Sequence, residues 1–127
     1  MKTPAAAAPT TPGLHVACLC AAWCRLCDDY MTAFERVTLA LRSQHPGLQT
    51  HWIDIEDEAE LLGEFDVETF PTLVVVVGDE LRFAGPLAPQ PETLQRVLAT
   101  VLATPQPGPP APPEVLAFAR RLRLRVA

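Results

Sequence analysis

The stretch Leu14-His15-Val16-Ala17-Cys18-Leu19-Cys20 is apolar at every position but His15 and has no helical spacing. Such a run reads as a strand buried on both faces. A strand of that kind sits inside a sheet that helices cover from above and below, so the rest of the chain has to supply those helices. It does. From about Arg25 to Gln44, Tyr30, Phe34, Val37 and Leu41 fall at three- and four-residue intervals on one face. Asp28 and Asp29 stand in the first turn, where negative charge suits the helix dipole, and Pro46-Gly47 stops the helix.

Downstream, Leu48 to Ile55 predicts a second strand. Glu56 to Glu64 predicts a short acidic helix with Leu61, Leu62 and Phe65 turned inward. Leu73-Val74-Val75-Val76-Val77 is the strongest strand signal in the chain, and Gly78-Asp79 after it is a two-residue hairpin turn with glycine first. Leu81 to Ala84 returns antiparallel. Residues 91–103 close the fold as a helix with Leu94, Val97, Leu98 and Val101 on one side. The expected order is β-α-β-α-β-β-α, with two parallel crossovers and then a hairpin, giving a mixed α/β sheet sandwiched between helices.

Of the fourteen prolines, nine lie outside this body: Pro4, Pro9 and Pro12 near the start, and six in the run from Pro105 to Pro113. Residues 1–13 read as a flexible Pro/Ala-rich lead, 14–103 as the folded domain, 104–113 as a Pro-rich linker and 114–127 as a basic helix or tail. Up to residue 113 there are 6 Lys/Arg against 14 Asp/Glu, so the body is acidic although the whole chain carries only −5. An acidic body excludes nucleic acid as the main partner, because phosphate binding needs clustered cations. Past the linker, Val115, Phe118, Ala119 and Leu122 make an apolar stripe, with Arg120, Arg121, Arg123 and Arg125 mostly off it. This tail docks either on the chain's own acidic body or on a partner.

The apolar stretch Ala5–Ala8 is too short for a secretion signal and is broken by Pro9 and Pro12. No segment approaches the roughly 18 apolar residues of a membrane span. A reducing cytoplasm is the expected location, and four cysteines there point to catalysis or metal rather than structural disulfides.

Cys24-Arg25-Leu26-Cys27 falls where the first strand ends and the long helix begins. Free N–H groups and the dipole at a helix start suit a thiolate at Cys24, and Cys27 lies one turn on. The segment Ala21-Ala22-Trp23-Cys24-Arg25-Leu26-Cys27 resembles the Trp-Cys-X-X-Cys signature of the thioredoxin family. Thr69-Phe70-Pro71-Thr72, just before the valine-rich strand, is similar to that family's cis-proline loop, and Gly85 to its glycine after the hairpin. The resemblance covers about residues 14–103, without the family's leading strand and helix.

The resemblance implies a thiol–disulfide oxidoreductase serving cell redox homeostasis, with protein disulfides as substrates and an upstream thiol reductant. Cys24 would attack and Cys27 would resolve. Pro71 would be cis and face the pair, the Phe70 backbone would bind an extended substrate, and Trp23 would shield the dithiol. Arg25 and Leu26 replace the family's usual Gly-Pro. Cys18 stands where the family has a buried aspartate, and Trp52 where it has the lysine paired with it. The dithiol carries the two electrons itself, so no organic cofactor is implied.

Three other readings compete. Cys18, Cys20, Cys24 and Cys27 together form a Cys-X-Cys-X3-Cys-X2-Cys pattern, which zinc or an iron–sulfur cluster uses. The expected strand direction buries Cys18 and Cys20 while leaving the other two at the sheet edge, and so disfavours a metal; the first two read as small hydrophobes. The run Glu56-Asp57-Glu58-Ala59-Glu60 lacks the glycine and ligand spacing of a calcium loop and reads as a solvated helix start. The altered dipeptide and missing Asp/Lys pair motivate the third, a redox-inactive binding module.

Overall fold

The computed structural model describes residues 13–103 and 110–125. The Pro/Ala-rich lead and most of the Pro-rich linker lie outside the described residues. The elements run β1 (Leu14–Cys20), α1 (Arg25–Arg42), β2 (Leu48–Asp54), α2 (Ala59–Leu62), β3 (Thr72–Val77), β4 (Glu80–Pro86), α3 (Pro91–Ala103) and α4 (Pro113–Leu124). The four strands form one sheet in the order β2-β1-β3-β4. All seven residues of β1 are buried, as a central strand covered on both faces requires.

One expected connection is corrected. Of the two parallel crossovers, only β1-α1-β2 is parallel, whereas β3 runs antiparallel to β1. The reason is length. Four residues of α2 span about 6 Å against roughly 23 Å for a seven-residue strand, so the connection holds no helix that runs back along the sheet. It stays at one end, passes over β1 and delivers Pro71 to the start of β3. The sheet is mixed for that reason.

Side-chain parity divides the interior into two cores. Leu14, Val16, Cys18 and Cys20 of β1 point to the face covered by α1 and α3, where they meet Cys27, Tyr30, Phe34, Leu94 and Leu98. Ala17 and Leu19 point to the other face, where Ile53, Val74 and Val76 meet Phe118, Ala119 and Leu122 of α4. Phe118 and Leu122 are fully buried. Helix α4 is also tied to α2: Arg121 Nε and Nη2 donate to the carbonyls of Leu61 (2.7 Å) and Leu62 (2.8 Å). Arg125 Nη2 pairs with Glu58 Oε2 at 2.9 Å.

Candidate functional site

Cys24 is the N-cap of α1, with extended backbone (φ −93°, ψ 111°) and an N–H that donates to the Ala21 carbonyl at 3.0 Å. Its carbonyl accepts the Cys27 N–H at 3.1 Å, which begins the helix. The Cys24 sulfur is a free thiol, partly exposed, at the positive end of an 18-residue helix. Cys27 lies on the apolar stripe of α1 with Tyr30, Phe34 and Val37, so its side chain turns inward onto the sheet.

That inward turn decides its partner. Cys27 forms a disulfide with Cys20, the last residue of β1, with Cα atoms 5.9 Å apart. Cys20 was expected to be a small buried hydrophobe. It is buried, at 1 % exposure, but its sulfur is bonded. The signal for it lay in two periodicities: Cys20 shares the parity of Val16 and Cys18, and Cys27 shares the stripe of Tyr30 and Phe34, so both face the same core. Cys18 Sγ lies 4.0 Å from Cys20 Sγ, and since Cys20 carries no hydrogen, the Cys18 thiol donates that contact. Burial pushes the Cys18 thiol far up, so it stays protonated. Across the sheet Cys18 pairs with Trp52, so neither the acid nor the amine of the usual family pair is present.

The second motif comes to the same surface. The Phe70–Pro71 peptide bond is cis. Thr72 Oγ1 donates to the Thr69 carbonyl at 2.6 Å and Leu87 N to the Pro71 carbonyl at 3.0 Å, which fixes this loop against the end of β4. Trp23 and Phe70 meet edge to face, with ring centroids 5.5 Å apart at 86°. Trp23 is 65 % exposed and Leu26 43 % exposed, so Trp23, Cys24, Leu26 and Phe70 form an apolar surface around one free thiol. Arg25 is exposed at its edge. On the other side of the disulfide a cleft of about 380 Å³ is lined by Cys20, Cys27, Trp52 and the carboxylates Asp28, Asp54, Asp57 and Glu58. Among the described residues no group of three His, Cys, Asp or Glu is arranged to hold a metal ion, and no helix is long and apolar enough to cross a membrane.

A second buried polar pair lies away from the cysteines and gave no sign in the sequence. His15 Nδ1 and His51 Nε2 are 3.1 Å apart, and the two rings stack. Both imidazoles are held below their ordinary range. For His15 burial is the larger cause, with Arg123 adding to it. For His51 burial leads, followed by His15 and then Arg125, and the value falls to about 4.

No family model matches the chain. Over 96 residues it is 29% identical to protein disulfide-isomerase A4 of Bos taurus, a match that covers 75% of this chain and 14% of the relative. The chain thus spans about a seventh of the length of the curated relatives it matches. Among solved structures, the germline-specific thioredoxin Deadhead of Drosophila melanogaster superposes with a TM-score of 0.57 at 22% identity, over 69% of this chain and 80% of that one. Fasciola hepatica thioredoxin superposes with a TM-score of 0.57 at 18% identity, over 76% and 88%. The solved structures establish the fold, and the sequence relatives agree with it. On that footing the chain has the thioredoxin fold, and its sequence is similar to a protein disulfide-isomerase segment.

Proposed function

We propose that the chain reduces or exchanges protein disulfides, with Cys24 as the attacking thiolate and Cys27 as the resolving thiol. The observation that carries this reading is the Trp23–Phe70 contact, which joins the cysteine turn and the Phe70–Pro71 loop into one surface around the free Cys24 thiol. In the first step Cys24 sulfur attacks a substrate disulfide, forms a mixed disulfide and expels one substrate thiolate. In the second, Cys27 attacks Cys24 sulfur, the other substrate thiolate leaves, and a Cys24–Cys27 disulfide holds the two oxidising equivalents. An upstream thiol reductant restores the pair, and a reducing cytoplasm is the setting that supplies one.

Trp23, Leu26 and the Phe70–Pro71 backbone hold an extended substrate strand by apolar contact and strand addition, with Arg25 at the rim. The test is disulfide reduction with insulin as substrate. Cys24→Ser abolishes turnover, and Cys27→Ser accumulates a mixed disulfide visible by mass. Turnover surviving both changes would remove the proposal.

A binding module is the second reading, favoured by the engagement of Cys27 with Cys20. If Cys24→Ser retains every partner in a pull-down, that reading takes precedence.

A further inference from the structure

We propose that Cys20 is a third redox-active cysteine, which takes Cys27 out of the active pair and converts Cys24 into a single-thiol capture site. The inference rests on the reading of Cys24 and Cys27 as that pair. Cys27 stands between two possible partners. Cys24 is one helical turn before it, with its carbonyl on the Cys27 N–H. Cys20 lies beneath it at the end of β1, already bonded, while Cys24 remains free.

The two sides of this trio are approached from different directions. Cys24 and Phe70 each pack at the margin of the α1/α3 core, and exposed Trp23 meets Phe70 edge to face. The acidic cleft is lined by Cys20 and Cys27 and not by Cys24. A client therefore reaches Cys24 from the Trp23 side, and a reductant reaches the Cys20–Cys27 bond from the cleft.

The chemistry balances within the chain. Turnover leaves a Cys24–Cys27 disulfide, its two electrons having gone to the client sulfurs. Cys20, deprotonated, attacks Cys27 sulfur; the Cys20–Cys27 bond forms, the Cys24–Cys27 bond breaks, and Cys24 leaves as a thiolate that takes up the proton. The exchange is an isomerisation and needs no outside oxidant. Cys24 then attacks the next client disulfide, expels one client thiol and keeps the other as a mixed disulfide, because Cys27 has no thiol with which to resolve it. Two electrons from a thiol reductant entering by the cleft reopen Cys20–Cys27, and Cys27 completes the release. The neutral Cys18 thiol contributes a hydrogen bond to Cys20 sulfur and no nucleophile.

The test titrates fully reduced, folded protein with the chromogenic disulfide dithionitrobenzoate. The expected release from the wild type is about three equivalents of thionitrobenzoate. Two come from attack by Cys24 and resolution by Cys27, and the third when Cys20 frees Cys24 for a second attack. Peptide mass mapping then finds the adduct on Cys24 and a bond between Cys20 and Cys27. Cys20→Ala releases about two and ends with Cys24–Cys27 bonded and no adduct. Cys20→Val, which fills the site, behaves alike and separates lost chemistry from lost packing. A wild type that stops at two, with no adduct on Cys24, overturns the role of Cys20 and leaves the active pair standing. Release that stops at about one in wild type and variants, with the adduct retained on Cys24, removes the active pair itself.

Discussion

Gly63 leaves α2 at φ +58° and ψ −121°, a conformation that an L side chain resists. A Cβ placed there would also run into the Arg121 guanidinium that holds the carbonyls of Leu61 and Leu62. Gly63→Ala should therefore destabilise the fold by about 1–3 kcal/mol from the backbone alone. Urea unfolding read by Trp fluorescence measures it, and a change near zero would mean that the loop relaxes at little cost. The cysteines show how far single residues can be read in advance. Parity on β1 and the stripe on α1 place Cys20 and Cys27 toward one core, whereas the Cys-X-X-Cys motif pairs Cys27 with Cys24 and leaves Cys20 as a small buried hydrophobe. His15 and His51 gave no comparable signal. They lie on different strands, and their contact depends on the parallel register that pairs Ala17 with His51.

At the scale of elements, the legible parts were those with strong periodicity. The sequence predicts β1 over the same residues that form it, and α3 likewise, while α1 ends two residues earlier than its pattern. The hairpin turn has Gly78 at φ +64°, as a glycine-first turn requires. The direction of β3 was not legible, because the acidic segment after β2 reads as a longer helix than the four residues that form. Helix α4 makes an element-scale prediction about pH. His15 and His51 face Arg123 of α4 and Arg125 just past its end, and the bond between the two rings needs at least one neutral nitrogen. Both histidines have folded-state affinities for protons below the unfolded value of 6.5. Their contribution is complete above that pH and is lost as pH falls toward about 4, where His51 titrates in the folded chain. The loss is at most about 1.4 kcal/mol per pH unit for each histidine. Denaturant unfolding from pH 7 to pH 4.5 should show this slope, and His51→Gln should flatten it; equal slopes would place the acid sensitivity elsewhere.

The whole molecule is a four-stranded sheet with one face covered by α1 and α3 and the other by α4. The thiol site opens at the sheet end from which β1 and β2 emerge, where the acidic residues after β2 also collect. The cleft beside the Cys20–Cys27 bond carries Asp28, Asp54, Asp57 and Glu58, of which Glu58 pairs with Arg125. The body around it is acidic too. Its field therefore repels an anionic thiol and attracts a cationic one before either touches sulfur. Cysteamine should reduce this bond faster than mercaptoethanesulfonate at low ionic strength. The gap should narrow as salt shortens the screening length from about 30 Å at 0.01 M to about 3 Å at 1 M. Equal, salt-independent rates would mean that the reductant enters from the Trp23 side instead. Under the proposed cycle, the ionic strength of the surroundings would set how fast oxidised protein returns to use through that cleft, and the charge of the donor would set which thiol pool does it.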